Sequence, residues 1–203
     1  MKLRLCGLLA LAALLAGCST TFKSRPLDAT GKFTTSTKLD AGGVKTVKPF
    51  QEKYKTMLYV KPDEARTTRF NNFWFESFKN MGVFTNVAQK SDFESMVIER
   101  KLTDKVTSVS DLIGLHQLQQ QIGPFLVVEP NVEWKGGYDY FASLKATDPE
   151  SGETVLYLEQ NAFNWAGLDD PLFFPLLNAF LEWTKGEPIS TETKTEPQTP
   201  PKK

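Results

Sequence analysis

Phe125-Leu126-Val127-Val128-Glu129-Pro130-Asn131-Val132-Glu133-Trp134, then Tyr138 to Thr147, then Thr154 to Phe163 are three strand-like runs in a row. Gly136-Gly137 turns the first into the second, and Asp148-Pro149-Glu150-Ser151-Gly152 turns the second into the third. Loops this short allow only antiparallel neighbours, so the stretch predicts a three-stranded meander. Tyr140, Ala142, Leu144 and Ala146 alternate along the second run, which gives it one apolar face. Pro130 cannot donate to a ladder and is expected at an edge or a bulge.

Upstream, the apolar period changes from two to 3.6. Thr56 to Val60 reads as a short strand, closed by Pro62. Asp63 is a fitting N-cap for a helix over 64–81, whose Phe70, Phe73, Trp74, Phe78 and Met81 share one stripe and which Gly82 stops. Val83 to Ala88 is a second short strand. Ser91-Asp92-Phe93-Glu94 has the form of a capping box and predicts a helix over 92–102. Asp111 to Ile122 is a third helix, ended by Gly123-Pro124. Downstream, Asp169-Asp170-Pro171 should cap a last helix over 171–185, with Pro171 at its first position.

The order β-α-β-α-α-β-β-β-α predicts an α+β fold of the α/β sandwich kind. A mixed sheet, with its carboxy-terminal antiparallel meander, is covered by helices. The domain is expected to span 51–186. Residues 18–50 are rich in Thr, Ser, Lys and Gly and read as a flexible tether, about 30 Å long on average. The alternative is that Phe33-Thr34-Thr35 adds an edge strand. Residues 187–203 hold four prolines and no aromatic residue, and read as a disordered tail.

The amino terminus has Lys2 and Arg4, an apolar run from Leu5 to Leu15, then the small residues Ala16 and Gly17. That is the layout of a secretory signal peptide over 1–17, and the run is shorter than the ~20 residues of a membrane-spanning helix. Leu15-Ala16-Gly17-Cys18 resembles the lipobox of bacterial lipoproteins. The resemblance implies cleavage by signal peptidase II after Gly17, with a diacylglycerol thioether and an N-acyl chain (palmitate is typical) on Cys18. No other cofactor is expected. Ser19, where an inner-membrane lipoprotein of the enteric type has Asp, implies the outer membrane; the periplasmic face is the expected side, with the cell surface as the alternative. Removal of 1–17 takes two cations and no anions from a chain with 24 of each, leaving a formal charge of −2.

Composition excludes several classes. The charge balance argues against a phosphate-backbone binder. Two cysteines, one of them in the signal peptide, exclude a disulfide framework, and a single histidine leaves little for a metal site. No G-x-S-x-G, H-E-x-x-H or phosphate loop is present. His116 sits at the edge of the Leu112/Leu115/Leu118/Ile122 stripe and is expected to be structural. Glu129, Glu133 and Asp139 are the carboxylates available for acid–base work such as glycan cleavage. A solvated strand face accounts for them equally well.

The last helix has two apolar stripes. Leu172, Leu176, Ala179, Phe180 and Trp183 make one, and Phe174, Leu177 and Leu181 the other. An ordinary surface helix has one. The second is either a contact for a partner or a second copy, or it lies under the tether or the loop 164–168.

The 51–186 region is similar to the compact periplasmic domain of the curli-secretion lipoprotein. The amino-terminal domain of the Tol translocation protein and the lipoprotein activators of penicillin-binding proteins share that layout. The similar stretches are Ile122 to Val128, Tyr140 to Ala146 and Asp148 to Leu156. Pro124-Phe125 departs from the family's usual Ala-Asp, and its channel-forming segments have no counterpart here. The resemblance implies a non-enzymatic envelope accessory or assembly factor that binds an envelope protein or itself. The alternatives are a binder of an apolar ligand or glycan, in a pocket between the last helix and the sheet, and a carboxylate-dependent hydrolase.

Overall fold

The computed structural model describes residues 23–63, 68–163 and 167–193. Leu15, Ala16, Gly17 and Cys18, the residues expected to form a lipobox, lie outside them. The elements are β1 (Leu39–Asp40), β2 (Val44–Val47), β3 (Met57–Val60), α1 (Thr68–Asn80), β4 (Asn86–Ala88), α2 (Lys90–Glu99), α3 (Leu112–Ile122), β5 (Leu126–Gly136), β6 (Asp139–Asp148), β7 (Glu153–Phe163), α4 (Phe174–Thr184) and β8 (Thr191–Glu192). Six strands form one mixed sheet in the order β2-β7-β6-β5-β3-β4. β3 runs parallel to β4 and β5, while β5, β6, β7 and β2 are antiparallel in turn. The α+β sandwich with its carboxy-terminal meander is the architecture expected from the alternation. Gly136 and Gly137, both at positive φ, close the first hairpin.

The period of two sorts the strands between two cores. Leu58, Val60, Leu126, Val128, Val132, Ala142, Leu144, Ala146, Leu156 and Leu158 face α1 and α4 and build the larger core. Tyr59 and Val127 point the other way and pack with Phe93, Val97, Leu115, Leu118 and Phe125 under α2 and α3. α1 meets α4 and the turn before it through aromatic rings, Phe78 on Phe180 and Trp74 on Phe173, with centroids 5.1 and 5.0 Å apart. α4 is apolar around nearly its whole circumference, and all of its residues except Asn178 are buried. No helix among the described residues is long and apolar enough to cross a membrane.

Local chemistry corrects three helix starts. The box before α2 is set two residues earlier than Ser91-x-x-Glu94: the Asp92 carboxylate accepts the Gln89 backbone N–H at 2.8 Å. Asp169–Phe173 forms a π-helical turn with Pro171 inside it, and α4 starts after it with Pro175 in its first turn. The third helix begins one residue later than expected: Asp111 is its N-cap, accepting the Gly114 N–H at 2.9 Å.

The larger correction concerns the tether. Phe33 and Leu39 are fully buried, Leu27, Val44 and Phe50 pack against the core, and β2 is the edge strand on β7. The Phe33 ring stacks on Phe174 at 5.3 Å, and both its backbone groups bond the Asn178 side chain. The segment runs so close to β7 that a Cβ on Gly43 would lie 2.3 Å from the Glu159 carbonyl oxygen. The domain therefore starts near Ser24, not at 51. The edge strand is Val44–Val47 rather than Phe33-Thr34-Thr35. The second stripe of α4 is likewise corrected: Phe174, Leu177 and Leu181 are buried within the chain and are not a partner contact. The tail also begins later than 187, since Ile189 packs on the core and β8 pairs with β1.

Candidate functional site

The two helices α2 and α3 cover only the β3-β4-β5 side of their sheet face. On the same face, β5, β6 and β7 present polar side chains in rows fixed by register. Glu129, Lys145 and Tyr157 form one row, Asn131, Ser143 and Glu159 the next, and Glu133, Phe141 and Asn161 the third. Lys61 joins the first row because its N–H continues the ladder to the Val128 carbonyl at 2.9 Å. Asp63 and Ser110 close the end of the face, producing a cleft of about 510 Å³.

Glu129 is the electrostatic centre of this cleft. Its two oxygens accept from Lys61 Nζ at 2.8 Å and Lys145 Nζ at 3.1 Å. Burial raises its proton affinity, but the two ammonium groups outweigh it and hold the carboxyl below its ordinary value. Tyr157 is shifted upward, first by burial and then by its bond to Glu159, so its phenol stays protonated. Glu159 also pairs with Lys45 at 3.3 Å, and Glu133 pairs with Lys135 and accepts from Asn131 at 3.1 Å. The result is a face of alternating charge with hydroxyl and amide groups between.

This arrangement does not suit a pair of catalytic carboxylates. Glu129 and Glu133 share a face but are four residues apart on one strand, which separates their backbones by about 13 Å. Glycosidases place theirs within about 5–9.5 Å. A general acid also needs a raised pKa, and Glu129 is shifted the other way. Asp139 stands apart at the start of β6, opposite Phe163. His116 is a brace: its Nδ1 meets the Pro149 carbonyl at 2.9 Å and its Nε2 the Gln120 amide at 3.0 Å, tying α3 to the β6–β7 loop. Asp169 pairs with Arg25 at 2.8 Å. Among the described residues no three His, Cys, Asp or Glu side chains gather as metal ligands. Phe173, Phe174, Phe180 and Trp183, on and before the helix beside which the alternative reading placed a pocket for an apolar ligand or glycan, are all buried.

Sequence reasoning picked out Glu129 and Glu133 but missed Lys61, Asn131, Ser143, Lys145 and Tyr157. The signal was present. The residues opposite the Ala142/Leu144/Ala146 face are polar at 129, 131, 133, 143, 145 and 159. Such a stripe in a strand that is also paired on both sides marks a face left to solvent.

No family model matches the chain, and no curated protein does. Among solved structures, the chain is similar to the C-terminal domain of LpoB from Salmonella enterica. The identity is 10% and the TM-score 0.41, over 57% of this chain and 88% of that one. It is also similar to the PelC dodecamer from Paraburkholderia phytofirmans in two crystal forms. Both give 12% identity and a TM-score of 0.41 over 68% of this chain, and cover 95% and 93% of the PelC chain. Similarity of this order speaks to neither partner nor activity.

Proposed function

We propose that this chain is a lipid-anchored accessory protein of the bacterial envelope that acts by binding another envelope protein, without catalysing a reaction. The observation that carries the reading is Leu15-Ala16-Gly17-Cys18 at the end of a charged and apolar leader. Cys18 would receive the acyl chains, and several chains give stable anchoring where one does not. Ser19 supports the outer membrane, and the periplasmic face is the natural setting for a partner-binding domain. The open face of β5-β6-β7 is the surface offered to the partner. Its alternating charges favour recognition of a protein surface with complementary pairs.

The test is crosslinking with mass spectrometry on intact cells, comparing the wild type with Cys18→Ala. A recurrent envelope partner captured by the lipidated form and lost in the variant is the expected result. Crosslinks confined to copies of the chain would replace the partner by self-association. A second reading is a glycan ligand, favoured by the hydroxyl, amide and ammonium groups lining the Glu129 cleft. A rise in melting temperature with cell-wall glycan fragments, abolished in Lys145→Ala, would select it over the protein partner.

A further inference from the structure

The largest exposed aromatic side chains among the described residues gather at one end of the sheet. Trp134 is 64% exposed, Tyr138 51% and Phe163 63%. Trp134 and Tyr138 flank the β5–β6 turn, and Phe163 ends β7 beside them, its ring 5.7 Å from that of Tyr138. The Trp134 indole N–H donates to the Gly137 carbonyl at 3.0 Å, which fixes its ring at the turn. Lys135 stands over the Phe141 ring at 4.9 Å. Rings with a polar edge, held on a hairpin and flanked by a lysine, have the composition of a membrane–water interface.

The chain itself says which surface is near. Ser24 is held to α1, its hydroxyl accepting from Ser77 at 3.1 Å and from the Asn80 amide at 2.8 Å. Arg25 follows and lines one cleft with Phe163, Asp169 and Pro171. Cys18 precedes Ser24 by six residues, so an acyl-bearing Cys18 lies within about 20 Å of Ser24 even when the link is fully extended. A tether of 32 residues would have left the domain free of the leaflet, whereas one this short keeps the domain against it.

We propose that the Trp134/Tyr138/Phe163 end of the sheet is a second membrane contact, seated in the headgroup layer of the leaflet that holds the Cys18 lipid. This rests on the lipoprotein reading above. The occupant is the lipid surface, since the short link gives that surface a permanently high local concentration. A second anchor of this kind fixes the orientation of the domain, which one flexible attachment does not.

After removal of 1–17, Cys18 is the only cysteine in the chain, so a single introduced thiol can be labelled. Full-length protein carrying Tyr138→Cys or Glu150→Cys is purified in lipidated form and labelled with an environment-sensitive fluorophore. It is then placed in vesicles of phosphatidylethanolamine and phosphatidylglycerol, with and without brominated lipid. Position 150 lies in the opposite hairpin, about 33 Å away along β6. The expected result is a blue shift and bromine quenching at 138 and neither at 150. Water-like emission at both positions in vesicle-bound protein overturns the proposal and leaves the lipoprotein reading intact. A shift at 138 that appears without vesicles and grows with protein concentration assigns the patch to a second copy and overturns it equally. The mass of the purified protein separately reports whether Cys18 carries lipid, so failure of the anchor reading is distinguishable. Matching melting temperatures of the two labelled variants exclude misfolding.

Discussion

Glu182 is a carboxylate on an otherwise apolar helix, 3% exposed. Such a group costs several kcal/mol unless its charge is met. Here Lys32 Nζ donates at 2.5 Å, the Ser190 N–H at 2.6 Å and the Ser190 hydroxyl at 2.7 Å. Burial raises its pKa, but the Lys32 and Ser190 donors prevail and hold it below the ordinary glutamate range. A carboxyl with a depressed folded-state pKa stabilises the fold above its unfolded value, about 4.3. That contribution is lost as pH falls through the folded value. Glu182→Gln should lower stability at neutral pH by only about 1–2 kcal/mol, because Lys32 and Ser190 can turn to water once the charge is gone. The deficit should shrink as the pH drops below ~4. Urea titrations at pH 7 and pH 3.5 measure both, and an equal deficit at the two pH values would mean that the charge is not what matters. Tyr54 offers a milder case. Its hydroxyl donates to the buried Asp148 at 2.9 Å, and Lys53 still reaches that carboxylate at 3.1 Å in its absence. Tyr54→Phe should therefore cost only about 1 kcal/mol, as read from the melting temperature.

At the scale of elements, the instructive one is the segment from Leu27 to Val47. It was illegible because its apolar residues, Leu27, Phe33, Leu39, Val44 and Val47, follow neither a period of two nor of 3.6. Leu27, Phe33, Leu39 and Val44 each pack on the core while Val47 is exposed, and the residues between are those of a linker. What was legible was its absence from the ledger of α4: a helix with two apolar stripes needs two covers, and the sheet supplies one. The segment supplies the other, with Phe33 on Phe174 and Lys32 on Glu182. The meander, by contrast, could be read almost to the residue, since its alternation and its Gly136-Gly137 and Asp148–Gly152 turns are local. The polar face of that meander was readable from the same alternation once its solvent side was followed. Phe33→Ala should cost about 3 kcal/mol, the loss of a buried ring. It should also open residues 23–50 to protease before the rest of the domain unfolds, which limited trypsin digestion at native conditions will show. Gly43→Ala should release the same segment, because its Cβ meets the rigid Glu159 carbonyl. A tether that merely hung from the domain would respond to neither change.

At the scale of the whole molecule, the early start of the fold alters what the proposed Cys18 anchor would do. The five residues between Cys18 and Ser24 give a link of at most about 20 Å, in place of a coil averaging about 30 Å and extensible to about 100 Å. With Cys18 acylated as proposed, so short a link would confine the domain to a thin layer at the leaflet and raise its effective concentration for partners in that layer, while denying it to partners farther off. Inserting twenty Gly/Ser residues after Ser19 lengthens the link to a root-mean-square reach of about 27 Å without touching any contact of the domain. Lipidation and melting temperature should stay as in the wild type. Crosslinking to a membrane-embedded partner should fall, and the quenching of a label at Tyr138→Cys by brominated lipid should weaken if the aromatic end relies on the short link to stay seated. If crosslinks to the partner instead persist and their number grows, then the partner lies out in the periplasm, and the short link restrains the domain rather than delivering it.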